Sequence, residues 1–219
     1  MHRLFRRFPA ALASFAVLGL AVPAFAGPPL LCHPYNIGTA KSLPWSGASS
    51  WFDGAPGYDV QRVVSDTEAL LTPATPVIVR METLRRAAIY ASRDRAVATQ
   101  LLQRLVARAE ATKTAGTPDP LAFLDAAYVA GAYREIGMLG KSADFSDKVK
   151  GVRAALGSTN SMALIAQSVE ARPDDPTIRF AAALIAADQD RQAYERHAAL
   201  ARAGASRDPL LARNIEHVS

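Results

Sequence analysis

Aspartate followed by proline recurs at three places in this chain where an apolar helical pattern restarts, and no other feature restricts the fold as tightly. Asp119-Pro120, Asp175-Pro176 and Asp208-Pro209 each set a carboxylate that accepts from free backbone N–H groups just ahead of a residue with no N–H to leave unpaired. Each pair therefore opens a helix. After Asp175-Pro176, Ile178, Ala181, Ala182, Ile185 and Ala186 recur at the three-and-four spacing of one buried face. A polar break at 188–191 precedes a second helical segment, 192–203, which presents Ala193, His197, Leu200 and Ala201. An apolar helix face has to be covered by a neighbour, so the chain is expected to fold as successive helical hairpins.

The same reading extends from residue 58 to the end. Val60, Val63, Val64, Thr67 and Leu71 form a first stripe, and Thr75-Pro76 opens a helix with Val77, Met81, Leu84, Ala88 and Ala91 on one face. Arg80, Glu82, Arg85 and Arg86 are expected on its other faces. Residues 94–112 align Val97, Leu101, Leu105 and Ala109. Residues 121–136 are apolar on every side, the pattern of a buried central helix, and Ala126, Ala127, Ala130, Gly131 and Ala132 permit close approach by neighbours. Shorter helices are expected over 148–156 and 161–171. Period-two alternation is absent and alanine abundant, so no strand is expected. The expectation is an all-α domain over 58–219, with about eight helices in antiparallel hairpins.

The Pro-opened starts at 76, 120, 176 and 209 are unevenly spaced, which makes the array irregular. The stretch 174–209 resembles a degenerate tetratricopeptide-type repeat, and the likeness is best over the last third of the chain. It departs where Ala193, His197 and Leu200 stand for a small, an aromatic and a small residue. The resemblance implies a platform for protein or peptide contact, not a chemistry.

Residues 1–26 have a basic start with Arg3, Arg6 and Arg7, an apolar middle over 10–22, and Ala24-Phe25-Ala26 before Gly27. That order is a secretory signal peptide, too short in its apolar part to span a bilayer. Export to the periplasm or outside the cell is expected, with no stable membrane anchor after cleavage. Removing the three arginines lowers the net charge from +5 to +2, and like charges form no blocks, so nucleic acid is excluded as an expected partner.

Residues 27–57 are the compositional outlier, rich in proline and glycine and holding both tryptophans and the one cysteine. They read as an extended arm. The run from Leu31-Cys32-His33-Pro34-Tyr35 to Pro44-Trp45 resembles the mature start of exported bacterial helical-repeat proteins, a likeness that implies a fold type and no activity. The arm is too apolar at Leu30, Leu31, Ile37, Leu43, Trp45, Trp51 and Phe52 to stay in water, so it is expected to lie along the helical domain as a lid over an open end.

Chemistry-bearing motifs are few. Gly140-Lys141-Ser142 ends like a phosphate-binding loop, but Glu135 stands where that loop needs glycine and a helix stands where it needs a strand. Cys32-His33 pairs two soft metal ligands, and a site there needs completion by His197 or His217. A buried inert thiol and a redox-sensitive thiol are the other readings of Cys32. Asp125, alone on the central helix, is expected to pair with Arg80, Arg86 or Arg153. No zinc-protease helix, serine elbow or other catalytic set is present, and no cofactor is implied. Tyr194, His197, Trp45 and Trp51 are the candidate interaction residues. The function expected is protein or peptide interaction in the cell envelope; the alternative is a Cys32/His33-dependent metal-binding or redox protein.

Overall fold

Each Asp-Pro pair caps a helix as expected. The Asp119 carboxylate accepts from Leu121 N–H, Asp175 from Thr177 and Ile178, and Asp208 from Leu210 and Leu211. Asp94, Asn160 and Asp190 cap three further helices in the same way. The structure, a computed structural model, describes residues 27–46, 52–139 and 146–218. The expected leader (1–26), Trp51 and the Gly140-Lys141-Ser142 motif lie outside the described residues.

Among the described residues there are nine α-helices and no strand: α1 (Val63–Leu70), α2 (Val77–Ala91), α3 (Arg95–Thr114), α4 (Pro120–Met138), α5 (Ser146–Leu156), α6 (Ser161–Ala171), α7 (Pro176–Ala186), α8 (Arg191–Gly204) and α9 (Pro209–Asn214). Short 3-10 turns precede α1, follow α8 and follow α9 at Ile215–Val218. The helix that is apolar all round is central: α4 packs on α2, α3, α5, α6 and α7, and every residue of it but Arg134 and Met138 is buried. The α7–α8 hairpin packs tightly, with Gly204 close against Pro176.

The faces of α2 that carry Arg80, Glu82 and Arg85 are buried as well, since every α2 residue except Arg86 is buried. The arm lies along the helical domain as expected, and it is seated more deeply than a lid. Leu30, Leu31, Tyr35, Leu43 and Phe52 are almost completely buried and belong to the same core cluster as α2, α4 and α7. The glycine on α4 shows how close the fit is: a Cβ at Gly131 would meet Leu30 Cδ1 of the arm at 2.7 Å, nearer than any atom of a neighbouring helix. The small-residue surface of α4 thus accommodates the arm.

Asp125 has the guanidinium partners expected of a buried carboxylate, though not the whole expected set. Arg80 Nη1 lies 2.7 Å from Asp125 Oδ2, and Arg108 of α3 binds the same oxygen. Arg86 is committed to Glu82, and Arg153 donates to Gly137 O. Burial pushes Asp125 up to about 6 against the pull of both arginines. Arg80 also donates to Thr72 O, tying the α1–α2 connection to the core.

Candidate functional site: the arm in its groove

An extended segment buried inside an all-helical protein has no ladder to satisfy its backbone, so its N–H and C=O groups need side-chain partners. Here the helices supply them from residues that would otherwise be anomalies of burial. Leu30 N–H donates to both Glu135 oxygens at 3.1 Å, and the Tyr128 hydroxyl donates to Leu30 O at 2.7 Å. Arg85 Nη1 donates to Leu31 O at 3.2 Å, and Tyr35 N–H donates to Glu82 Oε2 at 3.0 Å. Further along, Asn214 pairs with Asn36 in both directions, accepting from its N–H at 2.7 Å and donating to its carbonyl at 3.1 Å. Arg86 then donates to Leu43 O. Tyr90 closes the series, its hydroxyl donating to Pro44 O and accepting from Ala55 N–H at 2.7 Å.

Glu82 is the hub of this network. It is fully buried, and one turn of helix brings Arg85 Nε and Nη2 to its two oxygens at 2.8 Å each, a forked pair. Arg86 Nε reaches the same carboxylate at 2.7 Å. Burial alone pushes Glu82 up, but the hydrogen bonds and charges of Arg85 and Arg86, with the Tyr35 N–H, carry it below the usual carboxylate range. Glu135 differs, because among the described residues no guanidinium is hydrogen-bonded to it: burial pushes its carboxyl well up, and the nearby Asp188 adds to the rise.

The aromatic residues line the same channel. Tyr35 sits edge-on to Tyr128 and Phe180 and is stacked with His217 at 5.1 Å. Trp45 is half-buried, with the Arg85 guanidinium 4.8 Å from its ring centroid and Tyr90 edge-on at 5.8 Å. Its place is therefore within the arm–α2 contact.

The other candidates divide between two regions. His33 is exposed and edge-on to His217, 5.9 Å between centroids. Cys32, next to it in sequence, is half-buried, and a Cβ on Gly27 would lie against its sulfur. Among the described residues no group of three His, Cys, Asp or Glu side chains is placed to hold a metal ion. His197 belongs elsewhere, on α8, with Nδ1 3.1 Å from Arg179 Nη1 of α7. Burial, then Arg179 and Arg196, holds it down to about 4, so its ring is neutral at physiological pH. Tyr194 is half-buried on the same helix, packed against the core.

Burial pushes the Cys32 thiol up to about 11, with Glu135 adding and Arg85 opposing. The thiolate is the reactive form, so native Cys32 is expected to alkylate at pH 7.5 about a hundred times more slowly than an ordinary cysteine. Stopped-time labelling before and after unfolding measures this. A native rate equal to the unfolded rate would remove the burial reading and favour a reactive thiol.

Sequence reasoning missed Glu82, Glu135, Tyr128 and Asn214 as the groups that hold the arm. A signal was available for one of them: Glu135 is a second carboxylate, besides Asp125, on a largely apolar helix. Comparison of the chain with protein-family models, with curated proteins and with solved structures finds no match.

Proposed function

We propose that this chain is an exported helical scaffold for protein or peptide interaction in the cell envelope, and that it meets its partner on the outer face of α8. The groove formed by α2, α4 and α7 holds the protein's own arm, so an external partner meets a surface outside it. One observation carries the choice of surface. Leu200, in α8, is one of two large apolar side chains that stay substantially exposed among the described residues, at 48 %. It continues a line of three-residue steps from Tyr194 and the neutral His197. An aromatic, an uncharged imidazole and an exposed leucine among charged neighbours form the kind of anchor that interfaces concentrate their energy on.

A photo-crosslinking amino acid at Leu200, introduced into protein exported by its native host, is expected to capture a discrete partner. Affinity for that partner should then fall by about tenfold or more in Tyr194→Ala/His197→Ala, while circular dichroism stays helical. Capture from a probe at Lys41 or Arg104 with none at Leu200, or unchanged affinity in the double variant, would rule out the α8 surface.

A further inference from the structure

Two of the four histidines in the chain meet where the arm passes the turn that follows α9. His33, in the arm, lies edge-on to His217 of the turn Ile215–Val218, with 5.9 Å between ring centroids. The backbones that carry them are already joined. Asn36 and Asn214, each three residues from one of the histidines, exchange hydrogen bonds of 2.7 and 3.1 Å, and Arg202 donates to Val218 O beside His217. The His217 ring is fixed as well, stacked with Tyr35 at 5.1 Å and edge-on to Phe180 at 6.3 Å. Tyr35 is in turn buried, with its N–H on Glu82 and its hydroxyl hydrogen-bonded to that of Tyr128 at 3.1 Å. Packing accounts for His217 in this way, but not for His33, which is exposed and adds no ring to the core. Among the described residues neither imidazole takes part in a hydrogen bond or an ion pair. A neutral imidazole has one nitrogen lone pair to give, and here two of them stand side by side, uncommitted.

We propose that His33 and His217 together bind one copper(II) ion, with water in its remaining positions. With imidazole nitrogens about 2.0–2.1 Å from an ion, two rings that share it have centroids about 4.5 Å apart when cis and about 6.4 Å apart when trans. The observed 5.9 Å falls between those limits. The edge-on pair becomes a chelating one when exposed His33 turns about its side-chain bonds, while His217 keeps its place on Tyr35. The donor set chooses the ion: imidazole suits late first-row metals, two nitrogens with open oxygen positions suit a tetragonal ion, and copper(II) heads the affinity order of that series. Cys32 is not a ligand here, since its sulfur lies against Gly27. Only two protein ligands are involved, which is why no cage of three was found among the described residues. Because both ligands sit on backbone that is already held, little ordering is lost when the ion arrives. The ion then fastens the arm to the last turn at its solvent-facing edge, beside the Asn36–Asn214 pair.

The test is a calorimetric titration of copper(II) into untagged protein from the native host, with glycine present as a weak competitor. One ion per chain is expected, with a spin-resonance spectrum that is tetragonal and shows coupling to two imidazole nitrogens. His33→Ala and His217→Ala should each weaken binding by more than the tenfold that loss of even an outer-shell partner of a metal ligand costs. His197→Ala, on α8, should leave it unchanged. His33 is exposed, so its removal leaves the fold intact, and circular dichroism checks this. Saturating copper should raise the melting temperature of the parent by about 3 °C or more and that of His33→Ala not at all. Binding undiminished in His33→Ala, or a spectrum with one imidazole nitrogen, overturns the paired site. Zinc bound more tightly than copper overturns the choice of ion.

Discussion

Glu82→Ala is expected to destabilise the protein by about 3–5 kcal/mol, the cost of leaving a buried charge without its partner. Arg85 is 0 % exposed and has its fork on Glu82, with Leu31 O as its other acceptor. Removing the carboxylate strands that guanidinium in the core, takes the acceptor from Tyr35 N–H and frees Arg86 from its short contact. Helix and arm therefore lose their connection together. Urea denaturation at pH 7 measures the effect, and Glu82→Gln, which keeps the volume and one acceptor, should fall between the two. The pH dependence gives a second check. The folded Glu82 pKa is depressed, so its stabilisation is present above the unfolded value of about 4.3 and disappears as pH falls through the folded one. Wild type should lose that contribution in acid, and Glu82→Ala should have none of it to lose. An unchanged urea midpoint at pH 7 would mean that Arg85 finds equivalent acceptors and that Glu82 is no hub.

Leu30→Ala is the second large effect, with an expected loss of about 2–5 kcal/mol for a fully packed leucine. Its side chain fills the space over Gly131, 1 % exposed, between the arm and α4. The contact makes a stricter prediction than the loss alone. Gly131→Leu in the parent should cost about 1–3 kcal/mol by overpacking. In the Leu30→Ala background the same change should cost less, because the atom it would strike is gone, leaving a coupling of about 0.5–3 kcal/mol between the two sites. Thermal or urea unfolding of the four proteins closes the cycle. Strict additivity would show that the arm does not rest on α4 in solution.

These two residues mark where reading the chain stops being sufficient. Leu30 was legible as a residue that water would reject, and Gly131 as a place where something approaches closely. That the two meet was not legible, because 101 positions separate them and neither side-chain type names its partner. Glu82 is the harder case. On α2 it stands among Arg80, Arg85 and Arg86, and a helix with four charged residues in seven reads as having a solvated face. The Asp125 partners show the same limit, since burial of the carboxylate pointed to an arginine but not to Arg108.

What the amino-acid sequence determined by itself is whatever acts within a turn or two of helix. The Asp caps, the prolines behind them, the polar breaks and the apolar circumference of α4 are interactions over three or four residues, and they set where helices begin, where they end and which one is central. What the tertiary structure alone decided is the destination of the arm. An extended segment has no internal way to satisfy its backbone, so its conformation depends on acceptors and donors far along the chain: Glu82, Arg85, Tyr128, Glu135 and Asn214, 47 to 178 residues from the groups they hold. Those partners come together only once α2, α4 and α9 have packed, and the charges on α2 are buried for the same reason, because the backbone of the arm takes the place of the water they would otherwise bind.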